Sequence, residues 1–130
     1  PRIASKVKGI SDNTIKRSSL AKYKNILLKS NNYQAIDFYI GKVLKENDIS
    51  VDHVIPWSFM YSDDIWNLVL TRKSNNSSKS NSIPSQTTIE SLKERNSQLV
   101  NLISDSKYKD ELLLAIENDY VDKFYLAMKI

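Results

Sequence analysis

Cysteine is absent from the 130 residues, glycine and proline are scarce, and only one histidine occurs. Without cysteine the chain forms no disulfide, and one histidine cannot replace the thiolates of a structural zinc site. No apolar run approaches the roughly 20 residues that span a bilayer, and the chain does not start with a signal-peptide core. We therefore expect a single domain over residues 1–130, stabilised by packing, located in the cytoplasm and not in a membrane.

Positive charge is concentrated at the start of the chain, although the total net charge is only +4. Residues 1–30 hold eight Lys or Arg residues against Asp12 alone, a net charge of +7, whereas residues 31–130 carry −3. Such a segment can attract phosphate groups, but it can equally be a solvated helix face, because charge alone says nothing about the fold. Its candidates for nucleic-acid contact are Lys16, Arg17, Lys22 and Lys24.

Hydrophobic periodicity predicts helices towards both ends of the chain. In the basic N-terminal segment, residues 1–30, apolar side chains recur at helical spacing over about residues 13–29. In the C-terminal segment, residues 85–130, Pro84 and Ser85 are typical of a helix start. Apolar stripes over residues 85–104 and 107–129 then predict two amphipathic helices that pack as an antiparallel pair.

The middle of the chain has short runs that are typical of strands. Residues 35–44 indicate a short hairpin around Gly41. Residues 49–55 alternate polar and apolar side chains up to Pro56, and residues 67–71 form a second apolar run, so we expect these two to pair antiparallel. Residues 57–66 are expected to be a loop, and residues 72–81 a loop or a short helix. The predicted fold class is therefore α+β.

The only histidine lies in the most informative stretch of the sequence. Asp52 and His53 stand near the end of the first predicted strand, Asn67 opens the second, and Asn76 follows it. Adjacent strand residues point to opposite faces, so Asp52 and His53 can share a site only if the strand ends or bulges there, which the nearby Pro56 favours. Taken singly, each residue also has an ordinary role as a structural histidine, a cap or a turn residue.

Taken together, these residues resemble the HNH endonuclease family. The family motif has an Asp-His pair closing one strand, an Asn opening a second strand, and an Asn on the following helix. The Leu70-Thr71-Arg72 strand end, and Lys79 three residues after Asn76, are similar to the HNH domain of RNA-guided CRISPR nucleases. The resemblance covers about residues 49–85 and implies a ββα-metal core, a short antiparallel hairpin and a helix, embedded in longer helices.

The resemblance also implies a function, namely metal-dependent hydrolysis of phosphodiester bonds in nucleic acid, with double-stranded DNA as the expected substrate. It assigns Asp52 and Asn76 to a Mg²⁺ ion, which Mn²⁺ should replace, because carboxylate and amide oxygens suit hard cations. It makes His53 the general base and gives Asn67 the role of orienting the imidazole ring. The residues expected to bind phosphate near the cut are Lys79, Arg72 and Lys73.

Other interpretations remain open at this point. A non-catalytic nucleic-acid-binding or protein-interaction module on the same fold would leave the Asp, His and Asn side chains inert. Restriction or phage defence is an expected setting of a nuclease, and mobile-element homing and guided cleavage also use this unit. A homodimer, or a further specificity domain outside these residues, is compatible with the sequence.

One departure from the family pattern concerns zinc. Many members clamp the core with two Cys-x-x-Cys pairs around zinc, and this chain has neither. By spacing, Asp37 and Ile40 occupy the places of the first pair, and Arg72 and Asn75 those of the second. We therefore expect no structural zinc and expect hydrophobic packing to take over the role of the clamp. The expected contributors to this packing are Phe38, Tyr39 and Trp66.

Overall fold

A computed structural model describes residues 9–75 and 83–130, with side chains from Leu20 onward. Two antiparallel strands lie among several helices, which confirms the α+β class. In chain order the elements are helix α1 (Gly9–Ser30), strand β1 (Ser50–His53), helix α2 (Trp57–Met60), strand β2 (Leu68–Thr71), and helices α3 (Gln86–Leu102), α4 (Ser106–Glu117) and α5 (Tyr120–Met128).

Helix α1 confirms the predicted N-terminal helix and begins a few residues earlier. Its buried residues Tyr23 and Leu27 are four apart, so they lie on one face, and this face packs against both strands. The helix ends where Asn32 and Tyr33 adopt left-handed φ angles of 54° and 63°. The Tyr33 N–H then closes the last turn on the Leu28 carbonyl at 2.7 Å.

The hairpin predicted for residues 35–44 is reduced to one bridge, between Ile36 and Val43. The Asp37 N–H donates to the Lys42 carbonyl at 2.8 Å, which closes a tight turn. Gly41 has a φ of +73°, a conformation that glycine adopts without the steric cost of a side chain. This turn presents Asp37 and Tyr39 to the strands that follow.

The predicted antiparallel pairing of the two central runs is confirmed. The register pairs Asp52 with Val69 and His53 with Leu68. Every residue of the two strands except Ser50 is buried, which explains why the second run is continuously apolar instead of alternating. Directly after β2, residues 73–75 are helical; the rest of the helix expected in a ββα core falls on residues 76–82, outside the described part.

The loop predicted for residues 57–66 was partly wrong. Helix α2 follows Pro56 directly, and a 3-10 turn spans Ile65–Asn67. Proline suits the start of a helix because its φ is restricted, here at −53°. Helix α2 ends at Tyr61, whose φ is 56°, and a helix of four residues is too short to leave a periodic pattern in the sequence.

The C-terminal region contains three helices instead of the predicted pair. Helix α3 confirms the first of them, and the Ser85 side chain caps it by accepting the Thr88 N–H at 3.2 Å. The single helix predicted over residues 107–129 was wrong, because the chain turns at Asp119, which has a φ of 53°. Beyond the break, Phe124 stacks on Trp66 with ring centroids 5.5 Å apart.

One cluster of buried side chains joins α1, the two strands and the three C-terminal helices. Helix α1 packs against both strands, and Arg95 of α3 donates a hydrogen bond to the Leu68 carbonyl of β2, so helices from both ends of the chain contact the strand pair. None of the helices in the described ranges is long and apolar enough to cross a membrane.

Candidate active site

Asp52 and His53 are the last two residues of β1, and the strand ends at His53. Both are buried, with 5% and 9% of their surface exposed. Ionisable side chains are seldom buried to this extent without partners. The partners of these two residues therefore define what the site can do.

Tyr39 is the partner of Asp52. The phenolic hydroxyl donates a hydrogen bond to Oδ2 of the carboxylate, from a turn that lies 13 positions earlier in the chain. Burial, followed by the charge of Asp52, raises the pKa of Tyr39 far above its ordinary value. The hydroxyl thus remains a donor at physiological pH and holds the carboxylate in one orientation. Tyr39 was expected from sequence only as a packing residue.

Asp63 is the partner of His53. Its Oδ1 lies 2.7 Å from Nε2 of the imidazole, and only 15% of the Asp63 side chain and 10% of the His53 side chain are exposed. Sequence reasoning missed Asp63 because it stands in a segment without periodicity between the strands. The neighbouring Asp64 is the same type of residue, so the sequence alone does not show which of the two carboxylates contacts the imidazole.

The Asn67 side chain contacts the backbone of Ile55. Its side-chain oxygen accepts the Ile55 N–H at 2.8 Å, and its amide donates to the Ile55 carbonyl at 2.9 Å. The main-chain carbonyl of Asn67 accepts the Val54 N–H at 3.0 Å. Asn67 therefore holds the chain immediately after His53 against the start of β2.

Arg95 and Asn96 of α3 hold the other side of this strand start. The Arg95 guanidinium donates to the carbonyls of Leu68 at 2.6 Å and Ile65 at 3.1 Å, and the Asn96 amide donates to the Trp66 carbonyl at 2.9 Å. Burial lowers the pKa of Arg95 to about 9, so the group is still a cation at neutral pH. These bonds satisfy carbonyls that the short hairpin leaves without strand partners.

An ion pair occupies two of the four positions where relatives would carry clamping cysteines. Nη1 of Arg72 lies 2.8 Å from Oδ2 of Asp37, and Thr71 donates to Oδ1 of Asp37 at 3.1 Å. At a third position, the Asn75 amide donates to the Thr71 hydroxyl at 3.3 Å. The expectation that hydrophobic packing replaces the clamp was incomplete, because the side chains at three of these positions form a polar network.

The charge on Asp37 is stabilised within this network. Complete burial of the side chain opposes ionisation, but the N–H of Tyr39, the Arg72 guanidinium and the Thr71 hydroxyl outweigh it, and the pKa lies below its ordinary value. Of the expected packing residues, Trp66 stacks on α5, and Phe38 makes an edge contact with Tyr39 at 5.1 Å. Ile40, at the remaining clamp position, is half exposed.

The basic residues named from sequence are only partly within the described structure. Lys22 and Lys73 are exposed, and Lys24 is half-buried. Lys16 and Arg17 lie in α1, but their side chains are outside the described part, as are the whole residues Asn76 and Lys79. Arg72 is half-buried and engaged with Asp37. Because α1 packs against β1, the basic helix adjoins the strand that carries Asp52 and His53.

The comparison with known families agrees with this geometry. Residues 37–85 match a family model described as HNH endonuclease. This part of the chain is similar to the HNH endonuclease family. The match begins at Asp37, at the buried ion pair, and ends at Ser85, the cap of α3, so the HNH segment includes the turn, both strands and all the partners of Asp52 and His53 named above. Helix α1 and the C-terminal helices lie outside it.

Proposed function

We propose that this protein is a metal-dependent endonuclease that hydrolyses phosphodiester bonds in nucleic acid, with double-stranded DNA as its expected substrate. The observation that carries the proposal is that a buried carboxylate and a buried imidazole, Asp52 and His53, are the last two residues of β1. Each of them is held by a side chain from a different segment, within a stretch that matches the HNH endonuclease family.

The donor set suits a hard divalent cation. The carboxylate of Asp52, oriented by the hydrogen bond from Tyr39, is a hard oxygen ligand of the kind that Mg²⁺ prefers in proteins. We assign the amide oxygen of Asn76, which lies outside the described residues, as the second protein ligand of Mg²⁺ or Mn²⁺. Such an ion would supply charge neutralisation at the scissile phosphate and at the leaving oxygen. No cluster of three or more His, Asp or Glu side chains suited to a metal occurs within residues 9–75 and 83–130.

His53 acts in this proposal as the general base that takes a proton from the attacking water. A histidine side chain accepts a proton from water efficiently near neutral pH because its usual pKa is about 6.5. Burial excludes bulk water, and the fixed ring position reduces the reorganisation needed before the reaction. By analogy with the family, the products carry 5′-phosphate and 3′-hydroxyl ends.

The remaining residues would bind and position the substrate. We assign Lys79, Arg72 and Lys73 to phosphate contacts near the cut, and the basic residues of α1 to the nucleic-acid backbone farther away. Such contacts set affinity and position without reading the base sequence. Asn67 is proposed as a positioning residue, because its contacts with Ile55 hold the chain directly after His53.

Metal-dependent cleavage can be tested on supercoiled plasmid, linear duplex, single-stranded DNA and RNA, each with Mg²⁺, Mn²⁺ or EDTA. We expect nicking with either metal, none with EDTA, and a loss of at least about 100-fold in Asp52→Asn. Asp110→Asn is the matched control, because it makes the same chemical change at an exposed position of α4. Binding of DNA without cleavage under all conditions would favour the non-catalytic module instead.

A further inference from the structure

The segment between α2 and the Ile65–Asn67 turn brings a carboxylate to the imidazole of His53. Asp63 lies ten residues after His53 in the chain, yet its Oδ1 is 2.7 Å from Nε2. The contact is largely shielded from water, with side-chain exposures of 10% for His53 and 15% for Asp63. A shielded charge-assisted hydrogen bond is stronger and more directional than one on the surface.

Hydrogen bonds connect this segment, and the turn that follows it, to helices α1 and α4. The Tyr23 hydroxyl of α1 donates to the main-chain carbonyl of Asp63 at 2.9 Å. The Glu111 carboxylate of α4 accepts the Ile65 N–H, also at 2.9 Å. Burial, followed by the charge of Glu111, raises the pKa of Tyr23 well above its ordinary value, so the phenol keeps the proton that it donates. The backbone position of Asp63 is therefore set by the fold and not by the contact with His53 alone.

Chemically, a carboxylate at Nε2 determines which ring nitrogen carries the proton. In the neutral imidazole one nitrogen is a donor and the other an acceptor, and an ionised carboxylate can only accept. The proton is therefore held on Nε2, and Nδ1 becomes the basic nitrogen. Such a partner also fixes the rotation of the ring, which a freely rotating side chain would have to establish in each reaction.

We propose that Asp63 is a positioning residue that fixes the tautomer and the orientation of the His53 ring. The effect on catalysis rests on the proposed nuclease function, whereas the effect on the ring does not. Asp63 acts through His53 and touches neither substrate nor metal in this proposal.

The chain offers a direct test because it contains one histidine. After incorporation of ¹⁵N-histidine, NMR spectra report His53 alone, at a pH where titration in the same spectra finds the ring neutral. We expect the wild type to give an Nε2–H signal that is protected from exchange with water and a single tautomer. Asp63→Ala and the near-isosteric Asp63→Asn should lose the protected signal. Asp64→Asn is the matched control. Asp64 accepts a hydrogen bond from the Ser62 hydroxyl, so this variant should keep the protected His53 signal.

The nicking rate supplies the second readout. We expect Asp63→Ala to lower kcat about 10- to 100-fold with little change in KM, as is typical when a partner of a catalytic histidine is removed. An Nδ1–H tautomer in the wild type, or an unchanged protected signal in Asp63→Ala, would overturn the positioning role. Failure of the nuclease proposal would appear separately, as an inactive wild type, so the two failures are distinguishable.

Discussion

At the residue scale, the two side chains proposed for chemistry could be named from sequence, whereas their partners could not. Asp52 and His53 stand in a recognisable motif. Tyr39 and Asp63 reach them from segments 13 and 10 residues away that lie outside both strands, so no periodicity within one element connects the partners. Only the folded chain, with the turn at Gly41 and the short helix α2, brings these partners together.

The hydrogen bond from Tyr39 to Asp52 leads to a prediction about metal binding. Tyr39→Phe removes only the hydroxyl, so the packing of the ring should persist while the Asp52 carboxylate loses its fixed orientation. We expect the metal concentration for half-maximal nicking to rise about 10- to 100-fold. The matched control is Tyr33→Phe, because Tyr33 is 72% exposed. Equal metal dependence of the wild type and Tyr39→Phe would contradict the positioning role of the hydroxyl.

The buried ion pair between Asp37 and Arg72 leads to a prediction about stability and pH. Asp37→Asn should lower the free energy of unfolding by about 2 to 3 kcal/mol at pH 7, because three hydrogen bonds to a charged acceptor are weakened. The pKa of Asp37 in the folded state lies below its ordinary value of 3.8. Its stabilisation is therefore complete above about pH 4 and is lost as the pH falls through the folded-state pKa.

Urea unfolding of the wild type and Asp37→Asn over a pH series from about 7 to 3 measures this effect. The difference in unfolding free energy between the two proteins should be constant at the higher pH values of the series and should shrink below about pH 4. Asp110→Asn, at an exposed position, should show neither effect. If the difference in unfolding free energy between the wild type and Asp37→Asn did not depend on pH, the carboxylate charge of Asp37 would not be the source of the stabilisation.

At the element scale, sequence patterns predicted the elements that have both a hydrophobic period and a boundary signal. Helix α1 ends one residue beyond the predicted end at residue 29, β1 and β2 pair as expected, and Ser85 caps α3. The break between α4 and α5 carried only a weak signal, because Asn118 and Asp119 are less decisive than glycine or proline and the apolar stripe continues past them. Beyond the break, Phe124 of α5 stacks on Trp66. The two residues are 58 positions apart in the sequence, so no local pattern could predict this contact.

The left-handed φ of 53° at Asp119 makes the break testable. A left-handed conformation costs a residue with a Cβ about 1 kcal/mol or more, and Asp tolerates it better than Ala. Asp119→Gly should therefore leave the free energy of unfolding unchanged or raise it by up to about 1 kcal/mol, whereas Asp119→Ala should lower it by about 1 kcal/mol. Urea unfolding compares them directly, and an Asp119→Ala protein as stable as Asp119→Gly would indicate a continuous helix instead.

At the scale of the whole molecule, the uneven charge distribution is the feature that bears on substrate binding. The N-terminal 30 residues carry a net charge of +7 in a chain whose total is +4. Their helix packs against the strand pair that bears the candidate site. A phosphate backbone near Asp52 and His53 would then also pass close to this helix.

The contribution of α1 is measurable as a salt dependence. Replacing both Lys22 and Lys24 with Ala in a His53→Ala background should weaken duplex binding and lower the slope of log affinity against log salt by about 2, if each lysine neutralises one phosphate. The control pair, Lys109→Ala with Lys123→Ala, removes the same charge from exposed positions of α4 and α5. Equal effects of the two pairs would show that α1 attracts nucleic acid only through net charge.

The central claim is that this chain cuts nucleic acid through the site at the end of β1, and plasmid nicking by the wild type and His53→Ala tests it most directly. The chain has no second histidine to take over. We predict Mg²⁺-dependent nicking by the wild type that EDTA abolishes and that falls by at least about 100-fold in His53→Ala. Equal nicking by the two proteins, or none by the wild type with intact duplex binding, would contradict the claim.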